Sequence, residues 1–259
     1  MNAPATPARS SPSAPLLEVE NLGVRLRTAR GPADAVRGVS FTLDRGQTLG
    51  LVGESGCGKS LTAMALMGLL PDGAHAGGSV RFQGRELLGL DDAALCALRG
   101  NRIGMVFQEP MTALNPLHTI GRQVAEPLRV HRRIGAAQAR REAIALLERV
   151  GIPEPARRVQ RQRVTLAMAL ACGPDLLIAD EPTTALDVTV QGQILDLIAD
   201  LVDERGMALI LISHDLGVIA ENVDRMMVMY GGSVVERGPT AEVFARMAHP
   251  YTRGLFAAR

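Results

Sequence analysis

Apolar runs of strand length alternate with runs of helical spacing along the 259 residues, and that order predicts an α/β layered fold with a mostly parallel central sheet. Two stretches carry most of this expectation. The apolar run 48–52 leads into Gly53-Glu54-Ser55-Gly56-Cys57-Gly58-Lys59-Ser60 and then into helix formers over 61–67. The run 176–179 is a second buried-strand pattern, and it ends in Asp180 and Glu181. Open α/β sheets keep their reactive groups at such C-terminal strand ends.

The elements follow in order. Residues 16–24 and 36–43 alternate apolar and polar side chains and read as antiparallel strands, joined by a turn-rich connection over 27–34. Residues 77–84 form a short strand bounded by glycines. Residues 91–98 carry helical spacing with Asp91 as N-cap. The run 102–107 is a buried strand that delivers Gln108 at its end. Residues 124–132 and 136–150 read as helices, the second amphipathic and stopped by Gly151 and Pro153. Residues 208–212 form the strand that carries Ser213 and His214 at its end.

Composition bounds the function. With 47% hydrophobic residues the chain can bury a large core in one or two domains. A net charge of +1 supplies no basic field, so nucleic acid is not a favoured partner. Cys57, Cys96 and Cys172 lie far apart without a C-x-x-C pair, which argues against a zinc site or a disulfide framework and fits a reducing compartment. No apolar run reaches about eighteen residues, so no transmembrane helix is expected. Residues 1–15, rich in Pro, Ala and Ser, read as a disordered leader.

The stretch 53–60 reads G-x-x-x-x-G-K-S with a strand before it and a helix after it. That context turns a glycine-rich turn into a phosphate cradle: backbone N–H groups converge on a β-phosphate, and the helix dipole adds positive potential. Lys59 reaches the β- and γ-phosphates, and the Ser60 hydroxyl ligates Mg²⁺. Cys57 in this loop is read as a small side chain that fits it. Taken alone, the Asp180–Glu181 pair could simply cap the next helix. Beside a phosphate cradle, Asp180 is placed to hold Mg²⁺ and Glu181 to orient or deprotonate the attacking water. A strand-end histidine is commonly structural, yet His214 ends the next strand and can reach a γ-phosphate.

These residues together resemble the ATP-binding subunit of ABC transporters, over a match from about Leu16 to Arg259. Residues 53–60 look like its Walker A motif, with Leu61 following on, and Gln108 looks like its Q-loop glutamine. Residues 176–181 resemble Walker B with Glu181 as the catalytic carboxylate. Ala185-Leu186-Asp187 look like the D-loop and His214 like the switch histidine. The resemblance implies a P-loop NTPase of ABC type, with a RecA-like parallel-sheet core, an antiparallel β subdomain and an α-helical subdomain at about 110–172. It places the ATP-binding domain at 16–240. It further implies ATP and Mg²⁺ as ligands, with Ser60, Gln108 and Asp180 as the metal set. Asn115-Pro116-Leu117, the string from Asp180 to Thr189, and His249-Pro250-Tyr251-Thr252-Arg253 are similar to the dipeptide, oligopeptide and nickel importer branch, whose C-terminal region would begin at 241–259. That branch works with two transmembrane permease subunits, a second ATP-binding subunit and a periplasmic binding protein, on the cytoplasmic face of the bacterial inner membrane.

Three departures stand out. The family's Leu-Ser-Gly-Gly-Gln signature precedes a helix, but here Arg158-Val159 runs straight into Gln160-Arg161-Gln162, so about ten residues of the pattern are missing. Either a loop was left out of the chain as given, which the otherwise intact machinery favours, or the deletion is real. The aromatic that usually stacks on the base is absent from 16–40, leaving Leu26 or Val24 for apolar contact. No cysteine cluster follows the His-Pro-Tyr string, so no iron–sulfur cluster is expected. Rival classes fit less well. A GTPase would carry an Asn-Lys-x-Asp string, and a small-molecule kinase has no use for the set Gln108, Asp187 and His214. A DNA-repair or translation ATPase would bring a coiled-coil insertion or a tandem domain.

Overall fold

The computed structural model describes residues 14–108, 113–152, 158–184 and 186–257, with side chains 158–160 left aside. The expected leader therefore falls almost wholly outside the described residues.

Two sheets stack. The first is antiparallel, built from β1 (Leu17–Thr28), β2 (Gly31–Leu43), β4 (His75–Phe82) and β5 (Arg85–Glu86) in the order β2-β1-β4-β5. The second comprises β3 (Thr48–Val52), β6 (Ile103–Val106), β7 (Leu176–Asp180), β8 (Ala208–Ser213), β9 (Arg225–Tyr230) and β10 (Ser233–Pro239). Its order is β10-β9-β3-β8-β7-β6, parallel throughout except for the antiparallel edge strand β10. β3, β7 and β8 are buried along nearly their whole length, which is why they read as continuous apolar runs rather than alternating ones.

The helices are α1 (Lys59–Met67), α2 (Asp92–Cys96), α3 (Ile120–Arg132), α4 (Ala136–Arg149), α5 (Arg158–Leu170), α6 (Val188–Arg205), α7 (Leu216–Asn222), α8 (Thr240–Arg246) and α9 (Pro250–Ala257). One core lies between the two sheets and includes α1, through Leu22, Leu43, Leu51, Leu66 and Ile178. A second covers the other face of the parallel sheet, through Leu177, Ile194, Leu211 and Ile219. α3, α4 and α5 share a third through Val124, Leu128, Ala143 and Val164.

The elements differ from expectation in three places. The connection foreseen over 27–34 is a tight hairpin: Gly31 takes φ 109°, and the Thr28 hydroxyl donates to the Gly31 carbonyl at 2.7 Å while accepting the Arg30 N–H. Its polar residues belong to exposed strand faces, including the Arg25–Asp34 ion pair. α3 begins at Ile120, earlier than the apolar spacing suggests, because Thr119 caps it. The sequence reading also passed over β9, β10 and the helices α6 to α9; Met229 of β9 and Gly232 just before β10 lie against the phosphate loop. Asp91 does cap α2, accepting the Ala94 N–H at 2.8 Å.

Candidate functional site

The loop after β3 is shaped by its glycines. Gly53 has φ 150° and Gly58 φ 104°. A Cβ on Gly53 would lie 2.3 Å from the Met229 carbonyl oxygen, and one on Gly58 would lie 2.8 Å from that of Ala35. Only glycine lets the loop pass so close to β9 and β2. α1 then starts at Lys59 with no side-chain cap, so its first N–H groups and the positive end of its dipole are available to an anion. Lys59 is buried, and its Nζ donates to the carbonyls of Gly53 at 2.8 Å and Glu54 at 3.0 Å. An ammonium held by neutral carbonyl oxygens is a cation ready for a phosphate. Cys57 is buried against Gly53 with its Sγ 3.8 Å from Lys59 Nζ, the packing of a small space-filling residue. Glu54, Ser55 and Gly56 are exposed at the mouth of the loop, and Ser60 and Leu61 are half-buried on the first turn of α1.

β7 and β8 bring the acids and the histidine to the same rim. Asp180 ends β7, is 4% exposed, and its Oδ1 has no hydrogen-bond partner. Burial pushes its carboxyl above the usual carboxylate range, the Ser60 hydroxyl and Lys59 pull it back, and Glu181 pushes it further up. An orphaned buried oxygen beside a hydroxyl is a donor set that fits a hard divalent cation, so the residues present suit Mg²⁺. Glu181 stands at φ 46°, a conformation that costs a non-glycine residue on the order of 1–3 kcal/mol. Its N–H is held by the Ile212 carbonyl at 2.9 Å.

Glu181 Oε2 gathers three groups: Gln108 Nε2 at 3.1 Å, Thr184 Oγ1 at 2.8 Å and His214 Nδ1 at 3.2 Å. Gln108, Glu181 and His214, expected from three strand ends far apart in sequence, thus meet on one oxygen. Thr184 was not foreseen; its signal is a hydroxyl three residues after a strand-end carboxylate, the spacing of a local turn, and the Thr184 N–H also bonds the Glu181 carbonyl at 3.2 Å. Asp187 caps α6, accepting the Val190 N–H at 3.0 Å. Ala185 lies outside the described residues. Of the two residues expected to offer apolar contact, Val24 is buried in the core and Leu26 is half-buried. Val159 and Gln160 are consecutive in the sequence and fall in the first turn of α5.

A glycine-wrapped phosphate cradle, two carboxylates and a histidine on the C-terminal rim of a parallel sheet define a P-loop nucleotide hydrolase. The model of the ABC transporter ATP-binding family matches residues 36–184. The chain belongs to that family. It is 52% identical over 257 residues to a peptide import ATP-binding protein of Brucella abortus (strain 2308), covering 95% of this chain and 77% of the relative. It is 49% identical over 254 residues to the oligopeptide transport ATP-binding protein OppD of Bacillus subtilis (strain 168), covering 93% and 71%. Among solved structures, the dimeric post-hydrolysis state of the ATP-binding cassette MJ0796 bound to ADP and Pi matches with a TM-score of 0.77 at 26% identity, over 86% of this chain and 98% of that one. CbiO1 of Clostridium perfringens, part of the transporter complex cbiONQ, gives 0.75 at 26% identity, over 94% and 99%. Fold and family make this chain an ATPase subunit of an ABC transporter. No helix among the described residues is long and apolar enough to cross a membrane.

Proposed function

We propose that the chain energises import of di- or oligopeptides as a peripheral ATPase on the cytoplasmic face of a bacterial inner membrane. It would work with two transmembrane permeases, a second ATP-binding subunit and, indirectly, a periplasmic binding protein. The relatives' names, peptide import and oligopeptide transport, support peptide over nickel, the other substrate of this branch.

The observation that carries the chemistry is the convergence of Gln108, Thr184 and His214 on Glu181 Oε2. With one carboxylate oxygen engaged in this way, the other would polarise water for in-line attack. Lys59 leaves the carbonyls of Gly53 and Glu54 for the β- and γ-phosphates, with Glu54 to Gly58 wrapping the phosphates through backbone N–H groups. Ser60 and Asp180, with Gln108, would hold Mg²⁺, which supplies charge neutralisation between the phosphates. His214 shifts from Glu181 to steady the γ-phosphate, and Asp187 borders the partner across the α6 N-terminus. The apolar groove of about 610 Å³ between α1, the end of β6 and α3, lined by Met64, Met67, Phe107, Pro127 and Met168, is where a permease helix would dock beside Gln108.

Replacing Glu181 by Gln is expected to lower hydrolysis about 10²- to 10⁴-fold while MgATP stays bound. Turnover at the wild-type rate in that variant ends the assignment. Replacing Lys59 by Ala should weaken nucleotide binding itself, and retained affinity would count against the cradle. A second reading has its own support in the short junction at Val159–Gln160: a subunit that binds ATP but cannot complete its partner's site. The 257 aligned positions of the Brucella relative take up only 95% of 259 residues here, so the relative carries residues this chain lacks. A pairing with a second, signature-bearing ATPase would leave one working site, built on this chain's cradle.

A further inference from the structure

The His-Pro-Tyr segment lies beyond the catalytic machinery, yet it touches the phosphate loop. The Tyr251 hydroxyl accepts the Glu54 N–H at 3.1 Å, across a sequence separation of 197 residues. That N–H belongs to the peptide group whose carbonyl, on Gly53, accepts Lys59 Nζ at 2.8 Å. One peptide plane at the head of the loop is therefore gripped at both ends, by Lys59 on the carbonyl side and by Tyr251 on the amide side.

Tyr251 is itself held. Its ring packs on Tyr230 at the end of β9, with centroids 4.5 Å apart, and its own N–H donates to His249 Nδ1 at 3.1 Å. Glu236 on β10 anchors the turn before it, accepting the N–H groups of Ala248 at 2.8 Å and His249 at 3.1 Å. Phe256 of α9 packs edge-on against Phe244 of α8, with centroids 4.6 Å apart. The grip on the loop is thus rooted in the second edge of the sheet and in the core.

We propose that Tyr251 is a positioning residue for the phosphate loop, presetting the 53–54 peptide so that the cradle holds its shape when Lys59 departs to the nucleotide. This rests on nucleotide binding at that loop. Once Lys59 turns to phosphate, its hold on the Gly53 carbonyl is given up, and the Tyr251 hydroxyl is the side-chain contact that keeps the peptide from rotating. Linkage makes the effect mutual: nucleotide in the cradle tightens the docking of α9.

The test is Tyr251→Phe in the full chain, with MgADP as the probe in calorimetric titration. Phenylalanine keeps the ring against Tyr230 and removes only the acceptor. The dissociation constant is expected to rise about two- to tenfold, the range of one hydrogen bond, while the melting temperature of the nucleotide-free protein falls by no more than a few degrees. In hydrogen exchange, MgADP should slow the amides of α9 in the wild type and do so less in Tyr251→Phe. Tyr230→Phe, whose hydroxyl does not touch the loop, should bind as the wild type. Equal affinity of Tyr251→Phe and wild type, or tighter binding by the variant, would overturn the proposal. Failure of the wild type itself to bind MgADP would instead overturn the nucleotide reading beneath it.

Discussion

On the proposed reading, the N-terminus of α1 would grip this chain's own nucleotide and that of α5 a partner's phosphate, and the two are built unlike one another. α1 follows a glycine-rich loop whose φ angles open its first N–H groups toward the site, with Lys59 buried beneath. α5 follows Pro153-Glu154-Pro155-Ala156-Arg157 and opens with Arg158, a stretch with no Ser, Thr, Asp, Asn or Gly to cap it. Four other helices carry side-chain caps, at Asp91, Thr119, Asp187 and Asp215, each worth about 1 kcal/mol, while α4 and α8 have none. Arginine at a helix N-terminus also opposes the dipole that would attract an anion. The contrast teaches that the half-site offered to this chain's own nucleotide and the half-site owed to a partner are independent pieces of sequence. In the sequence as it stands, one is complete and the other lacks the family's pattern.

The sharpest way to break the contrast is to restore the missing half. Inserting a Leu-Ser-Gly-Gly segment between Val159 and Gln160 should raise hydrolysis at the partner's site by on the order of 10²- to 10³-fold, the worth of preorganised donors at a developing charge. Nucleotide affinity at Lys59 should not move. Steady-state turnover of the assembled pair, with the partner's own glutamate intact and Glu181→Gln here, reads that site alone.

A smaller effect sharpens the complete side. Thr184→Ala removes one of the two hydrogen-bond donors on Glu181 Oε2 and should lower kcat about tenfold with KM unchanged. Thr184→Ser should restore it. A parallel rise in KM would make Thr184 part of the binding surface rather than a guide for Glu181.

The smallest effect concerns pH. Burial pushes the Glu236 carboxyl up, but the N–H groups of Ala248 and His249 outweigh it and hold it below the usual glutamate range. A carboxyl depressed on folding contributes stability that is fully present above its unfolded value of about 4.3 and is lost as pH falls through the folded value. Amide protection over 248–257 should therefore decline as pH drops below about 4, and Glu236→Gln should flatten that decline. An unchanged profile would detach Glu236 from the clasp on the loop.

Local chemistry made part of this protein legible from its residues. The run from Thr48 to Ser60 is strand, turn and helix start because glycine alone tolerates φ near 150° and 104°, and that requirement is written in the motif. Asp91 as a cap, the buried runs of β7 and β8, and the acids closing β7 are likewise local facts that survive translation into three dimensions. Which side chains meet was decided by tertiary structure. The parallel register of β6, β7 and β8 brings Gln108, Glu181 and His214 to one carboxylate oxygen, and no periodicity states that register. Thr184 found Glu181 through a turn with φ 46° at a non-glycine residue, a conformation that propensity argues against and the sheet enforces. Tyr251 reached Glu54 because β9, β10 and the cores around them fold the chain's end back onto its phosphate loop. Contacts between distant residues depend on which faces are buried together, and burial is a property of the whole fold.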